Sequence, residues 1–228
     1  MLVRSSAICV AVFCICLIFA SAQTAQVSTN PNYAVSPNVT FSLEFPSGDP
    51  PHYSITVSSD GRATYESDPG SEQQTGEPYT YRFTISAADR DKIFNGAKQL
   101  KYFNEDFESR KGKVAFTGNK TLAYKDADRN FRSSYNWSNN QAVQELTALF
   151  EGIAETMEFG RRLTYYHAHD KLGLDSELKQ MEQMSKDHQL AEIQALAPIL
   201  KSIADDNSVL NISRRRAAAM LMEYPPAG

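Results

Sequence analysis

Hydrophobic and polar residues alternate along much of the chain between residues 38 and 137, and a period of two is the spacing of strands that bury one face. Seven alternating runs each predict a strand: residues 39–45, 53–57, 63–65, 79–83, 114–116, 122–124 and 131–137. Turn-forming residues separate most of these runs. The pattern therefore predicts an antiparallel sheet of about six or seven strands.

The length of the loop at Asp60-Gly61 determines which side of the sheet the flanking residues face. A two-residue loop would set Val57 opposite Thr64, and the apolar residues of the two strands would then lie on opposite faces. A three-residue loop, which begins one residue earlier, sets Val57 opposite Ala63 and keeps the apolar residues on one face. We therefore predict the three-residue loop, with Gly61 in the left-handed conformation.

Helical spacing replaces the alternation after residue 86 and again after residue 140. Ser86 followed by Asp89 is typical of a helix N-terminus, and a long helix is predicted from about Gln141. Only helical patterns follow residue 159, and Pro198 predicts a kink or break among them. We assign the chain to the α+β class: an antiparallel β-sheet of about six or seven strands covered by helices, followed by an all-helical C-terminal extension.

The N-terminus has the three-part pattern of a cleavable secretory signal. Residues 1–22 hold one basic residue, an apolar run and small residues before Gln23. Residues 23–37 are polar and contain prolines, so we expect a flexible linker there. The predicted organisation is a signal peptide at 1–22, a linker at 23–37, an α+β sheet domain at 38–158 and a helical C-terminal region at 159–228. We expect a secreted or periplasmic protein without a membrane span after cleavage.

Composition narrows the possible chemistry and the possible partners. All three cysteines lie in the predicted signal, so the mature chain would have no disulfide and no thiolate. Cleavage also removes Arg4, which leaves 22 basic and 27 acidic residues and a net charge of −5. This charge disfavours nucleic-acid binding, which needs a basic surface. We expect the partner to be another exported protein or a cell-envelope component.

The best metal candidate is the segment YYHAHD, in which His167, His169 and Asp170 offer imidazole and carboxylate ligands. These ligand types suit zinc or copper. Residues two apart on a helix point about 200° apart, and no second cluster supplies the remaining ligands. We therefore favour the other interpretation, a solvated helix end.

Tyrosines at residues 53, 65, 79 and 81 share their predicted face with Ile55, Val57 and Phe83, so we expect core packing rather than an aromatic binding platform. The opposite face is then rich in hydroxyl groups. It is our candidate binding face and comprises Ser54, Thr56, Arg62, Thr64, Thr80 and Arg82. A partner would dock on this face or on an unpaired edge strand.

Sequence motifs do not assign a catalytic residue. The chain has no G-x-S-x-G, G-x-G-x-x-G, P-loop or H-E-x-x-H motif, and we predict no cofactor. We favour an exported non-enzymatic binding or interaction module of unknown ligand. The alternatives are a hydrolase that uses carboxylates or a His167/His169 metal site, and a secreted protease-inhibitor-like protein.

The residues PHYSITVSSDGRATYES resemble the P-x-Y-x-I-x-V-x-x-D-G-x-x-x-Y strand pair of a family of uncharacterised exported bacterial proteins, a domain of unknown function. A glycine-containing loop, a helix start at Ile85-Ser86 and a phenylalanine-rich segment with Phe103 and Phe107 follow in both. The similarity covers roughly residues 38 to 158. The resemblance implies an exported α+β domain and offers no known catalytic residues.

Overall fold

A computed structural model describes residues 36–69, 77–110 and 114–226 of the chain. The predicted signal peptide and most of the predicted linker lie outside the described residues. The described residues belong to one compact unit.

Six antiparallel strands form one sheet, in the spatial order β4-β3-β2-β1-β5-β6. Alternating burial along the strands confirms the period of two, since apolar residues face the helices and polar residues face away. The strands are β1 Asn38–Glu44, β2 His52–Ser58, β3 Arg62–Ser67, β4 Tyr79–Thr84, β5 Asn119–Lys125 and β6 Asn130–Tyr135.

The β2–β3 register is the one predicted for a three-residue loop. Val57 lies opposite Ala63, and Gly61 has a φ of 91°, which favours glycine because it has no Cβ. The predicted strand at residues 114–116 is wrong. Val114 and Phe116 lie in irregular chain and are exposed, so their alternation does not reflect a buried face.

Five α-helices accompany the sheet. Ser86 caps the first one, because its Oγ accepts a hydrogen bond from Asp89 N at 3.2 Å as predicted. The break predicted at Pro198 is also confirmed: a short 3-10 turn at Ile193–Leu196 ends there, and Pro198 lies in the first turn of the next helix. The helices are α1 Ala87–Gln99, α2 Gln141–His169, α3 Leu174–Lys186, α4 Ala197–Asp205 and α5 Asn211–Glu223.

Helix α2 joins two hydrophobic cores. The first core lies between the sheet and helices α1 and α2, and it includes Met157. The second core packs the C-terminal part of α2 against α3, α4 and α5, and it includes Phe159. The predicted boundary between residues 158 and 159 thus falls inside α2, where the helix passes from one core to the other. In the described ranges no helix has both the length and the apolar character needed to cross a membrane.

Candidate ligand-binding site

A cavity of about 380 Å³ opens at the end of the sheet where β5, the chain after β6 and the N-terminal half of α2 meet. We call it the Lys120 cavity. Lys120 occupies an inward-facing position of β5, in phase with Leu122 and Tyr124, and only 6% of the residue is exposed. An ammonium group in this position needs several acceptors, because burying an unpaired charge is costly.

Three oxygen atoms surround the Lys120 ammonium. Its Nζ donates to the carbonyl oxygen of Thr117 at 3.2 Å, to Thr117 Oγ1 at 3.0 Å and to the carbonyl oxygen of Asn136 at 3.4 Å. Burial lowers the pKa of this amine, and the nearby carboxylates of Glu151 and Glu108 oppose that shift. Lys120 therefore ties together the chain segments before β5 and after β6, and these three bonds use its three donors.

Glu151 lines the cavity from α2, and its Oε1 lies 4.0 Å from Lys120 Nζ. No hydrogen-bond donor within the described ranges reaches the Glu151 carboxylate. Burial raises the pKa of this carboxyl group, while the charge of Lys120 partly offsets the rise. The cavity thus contains a carboxylate that lies beside a cation and still has its lone pairs available for a ligand.

The outer wall of the cavity is aromatic. Trp137, the one tryptophan of the chain, is 40% exposed, and its indole Nε1 donates to Asn139 Oδ1 at 3.4 Å. Asn136 holds the neighbouring irregular segment in place, because its Oδ1 accepts from Thr117 N at 2.7 Å and its Nδ2 donates to the carbonyl oxygen of Ala115 at 3.1 Å. The exposed ring of Phe116 lies on this segment. The cavity therefore combines a polar interior with an accessible ring face, as many small-molecule sites do.

In the wall of the cavity, two hydroxyl groups form a chain of hydrogen bonds that ends at a backbone carbonyl. Thr147 Oγ1 donates to the carbonyl oxygen of Val143 at 2.7 Å and accepts from the Tyr135 hydroxyl at 2.6 Å. Burial is the largest cause that raises the pKa of Tyr135 to about 12. Tyr135 is therefore a neutral part of the wall, and its hydroxyl proton is used within the protein.

A second glutamate of α2 has a different environment. Glu158 is only 3% exposed, and its Oε1 accepts from the Tyr65 hydroxyl at 2.6 Å and from Ser67 Oγ at 3.0 Å. Its Oε2 contacts Arg161 Nε and Nη2, each at 2.5 Å. Burial and the Glu158 charge raise the pKa of Tyr65. Both oxygens of the Glu158 carboxylate are thus bonded to buried groups of the protein, although Arg161 Nη1 has no hydrogen-bond partner. This is the pattern of a structural network.

Glu192 is another buried carboxylate, and it caps the first turn of α1. Its carboxylate accepts from Ser86 N at 3.0 Å and from Ser86 Oγ at 2.7 Å, and Gln194 Nε2 donates to it at 2.6 Å. Burial is the main cause that raises the pKa of Glu192 to about 7, and the nearby Asp89 adds to the rise. This contact links the sheet layer to the C-terminal helices through a group that titrates near neutral pH.

The predicted metal ligands have other partners in the structure. His167 Nε2 lies 3.0 Å from Asp206 Oδ2, and His169 packs on the ring of Tyr165. Asp170 ends α2 and accepts a hydrogen bond from Leu172 N through Oδ1. Residues 36–69, 77–110 and 114–226 contain no group of three or more histidines, aspartates or glutamates arranged to hold a metal ion.

Lys171 and Ser208 complete a network around Asp206. Lys171 Nζ donates to Asp206 Oδ2 at 2.6 Å and to Ser208 Oγ at 2.5 Å, and Ser208 Oγ donates to Asp206 Oδ1 at 2.6 Å. These bonds lower the pKa of Asp206. Because Ser208 contacts Asp206 rather than His167, the cluster lacks the serine-to-histidine bond of a hydrolytic triad. It joins the end of α2 to the α4–α5 loop.

The six residues of the candidate binding face do share one face of the sheet. Cross-strand pairing places Thr56 beside Thr64 and Thr64 beside Arg82, on the side opposite the buried tyrosines. Arg62 on this face pairs with Asp60 at 2.7 Å. Whether a partner binds this face stays a prediction.

Comparison with known proteins did not extend this picture. No family model matches the chain, and no curated protein matches it. The resemblance of the β2–β3 strand pair to uncharacterised exported bacterial proteins therefore stays a prediction.

Proposed function

We propose that this chain is an exported binding module that holds a small, neutral, hydroxyl-rich ligand such as a saccharide in the Lys120 cavity. The observation that carries the proposal is the Glu151 carboxylate, which lines the cavity without a hydrogen-bond donor in the described ranges, close to the half-exposed Trp137. Export rests on the secretory pattern of residues 1–22.

Charge favours a neutral ligand over an anion. One ammonium and one carboxylate line the cavity, and the ammonium already makes three hydrogen bonds. An anion would find the donors of Lys120 in use and Glu151 nearby as a like charge. Ligand hydroxyl groups, in contrast, can donate to the Glu151 carboxylate in a charge-assisted hydrogen bond.

The aromatic wall favours a ligand that also has an apolar face. The C–H groups on one side of a sugar ring can pack on the exposed indole of Trp137, while the hydroxyl groups at the ring edge reach the polar interior. A cell-envelope saccharide has both features. The alternatives of a hydrolase and of a protease-inhibitor-like protein stay predictions, and no geometry within the described ranges favours either one.

Trp137 provides a direct binding test, because tryptophan fluorescence from this chain reports on a single site. We expect a saturable change in emission when the mature protein is titrated with glucose, N-acetylglucosamine or maltose. Glu151→Gln should weaken the affinity at least about tenfold, because a hydrogen bond to a charged acceptor contributes about 1.5 to 3 kcal/mol. Glu145→Gln is the matched control, since Glu145 is exposed on the same helix outside the cavity.

Two results would overturn the proposal. One is the lack of any saturable response to these saccharides up to about 10 mM, which corresponds to affinity too weak for a dedicated site. The other is a response to choline alone, which would show that the carboxylate and the indole select a cation.

A further inference from the structure

The two edges of the sheet differ in what lies beside them. At the β6 edge, the segment around residues 107–109 contacts the strand and the chain just after it: Phe107 N donates to the side-chain Oγ of Ser133 at 3.3 Å, and Ser109 N donates to the carbonyl oxygen of Trp137 at 2.7 Å. At the other edge, β4 has β3 as its one strand partner. Edge strands are open to pairing with another chain unless they are covered or blunted.

The register shows which backbone groups of β4 point outward. Ile85 N donates to the carbonyl oxygen of Gly61 at 3.0 Å, and β4 pairs antiparallel with β3. Because the direction of backbone groups alternates along a strand, Tyr81 and Phe83 bond to β3. Thr80, Arg82 and Thr84 direct their N–H and C=O groups away from the sheet, and within the described ranges no backbone group pairs with them.

Natural edge strands are often protected by proline, a bulge or several charges. Strand β4 has the sequence YTYRFT, which contains no proline or glycine and one charged residue, Arg82. Its ladder with β3 is regular from Tyr79 to Thr84. The strand therefore keeps the geometry required to accept another strand.

An apolar groove of about 600 Å³ runs beside this edge, between β4 and the C-terminal helices. Tyr81 and Phe83 form one wall, and Pro198 and Leu221 contribute to the other. The Tyr81 hydroxyl donates to the carbonyl oxygen of Ala195 at 2.8 Å, which fixes the ring against the helical layer. A strand added to β4 would direct every second side chain into this groove and the others toward the polar face.

The charged residues beside the groove indicate what kind of strand would bind to β4. Arg82 makes no ion pair within the described ranges, and the other charged residue of the groove is Lys201. Lys201 is bound to the exposed Asp205 at 2.7 Å, outside the groove lining. A second copy of β4 fits poorly, because the longest antiparallel register that pairs the outward-facing groups of two β4 strands sets Thr80 opposite Thr84 and Arg82 opposite Arg82.

We propose that the β4 edge binds an extended peptide segment by strand addition, with apolar side chains in the groove and an acidic side chain beside Arg82. Main-chain hydrogen bonds to Thr80, Arg82 and Thr84 provide the attachment, and the alternating side chains provide the selectivity. This site lies on the opposite edge of the sheet from β6 and the Lys120 cavity, so it is independent of the saccharide proposal.

A synthetic peptide tests the proposal. The probe is a fluorescently labelled seven-residue peptide with valine at odd positions, glutamate at the centre and threonine elsewhere. We expect it to bind at least about tenfold more tightly than the same peptide with lysine at the centre. Two further peptides carry methyl groups on the odd-numbered or on the even-numbered backbone amides. One of these two peptides should not bind, because its methyl groups replace the N–H donors that face β4.

Two charge-reversal variants distinguish a specific contact at the β4 edge from nonspecific electrostatic attraction. Arg82→Glu should reverse the preference toward the lysine peptide. Arg132→Glu is the matched control, because Arg132 lies on the same sheet face in β6, the strand at the opposite edge, and also has no ion pair in the described ranges. Binding should protect the backbone amides of Thr80, Arg82 and Thr84 from hydrogen exchange without changing those of Tyr81 and Phe83.

The proposal fails if neither the glutamate peptide nor the lysine peptide binds, or if both methylated peptides bind as well as the unmodified one. It also fails if Arg132→Glu changes the peptide preference as much as Arg82→Glu does. It also fails if the protein forms dimers through β4 that exclude the peptide, since the edge would then serve a second copy of the chain.

Discussion

Two glutamates of helix α2 lie about two turns apart and make opposite kinds of contact with the sheet. Glu158 meets β3 in a closed network, where two hydroxyl groups and one guanidinium occupy its oxygens. Glu151 meets β5 at the edge of a cavity, with Lys120 at 4.0 Å and no bonded donor in the described ranges. The difference teaches that a carboxylate beside the sheet indicates a binding site only when the surrounding groups leave its lone pairs open.

The largest effect should follow from breaking the closed network. Glu158→Gln leaves the buried Arg161 guanidinium without its counter-charge, and Arg161 Nη1 already lacks a partner. Loss of one member of a buried ion pair costs about 3 to 5 kcal/mol. We therefore expect the free energy of unfolding, measured by urea denaturation, to fall by about that amount.

A double variant shows whether that loss comes from the unpaired charge. Glu158→Met combined with Arg161→Met replaces both charges with apolar groups, and such replacements are often neutral or stabilising. The double variant should recover much of the stability lost in Glu158→Gln. If it is less stable than the single variant, the network contributes more than charge compensation.

Glu192 sharpens the comparison, because this buried carboxylate takes part in no ion pair within the described ranges. Its pKa is about 7 in the folded protein and 4.5 in an unfolded reference. Between these values the folded state keeps a proton that the unfolded state releases, so stability falls as the pH rises from 4.5 to about 7. We expect a fall of about 1 to 2 kcal/mol after allowing for solvent screening.

Glu192→Gln isolates this titration from those of other groups. The variant should lack this part of the pH dependence in urea denaturation between pH 4.5 and 7.5, whereas Glu145→Gln, on an exposed part of α2, should keep it. Equal pH slopes in the wild type and in Glu192→Gln would show that the carboxyl group does not titrate in this window.

The smallest effect on stability should come from Glu151. Its carboxylate has no hydrogen bond to lose, and a charged pair at 4.0 Å with a half-exposed carboxylate contributes at most about 1 kcal/mol. Glu151→Gln should therefore change the free energy of unfolding by less than about 1 kcal/mol in the same urea experiment. A loss as large as that of Glu158→Gln would make Glu151 a structural residue as well.

Local pattern was sufficient to predict much of the fold. Alternation predicted the strands and the β2–β3 register, Ser86 correctly marked a helix start, and Pro198 correctly marked a break. The prediction failed at Val114 and Phe116, because alternation alone does not tell a buried face from an exposed aromatic segment.

The candidate site was not predicted, although one signal was present. Lys120 lies in phase with Leu122 and Tyr124, which is unusual for a residue that faces a core. Its bonds to Thr117 are local, but its third acceptor, Asn136, lies 16 positions away. The hydroxyl donor of Glu158, Tyr65, is separated from it by 93 positions. Such contacts depend on how α2 crosses the sheet, and no local spacing encodes that crossing.

The comparison between the two glutamates is tested most directly by carboxyl NMR of glutamate-labelled protein during a saccharide titration. From the geometry of the cavity we expect the Glu151 carboxyl signal and the Trp137 indole signal to shift together as the ligand saturates the site. The Glu158 carboxyl signal should not shift. A shift of the Glu158 signal with no change at Glu151 would contradict the assignment of the binding site.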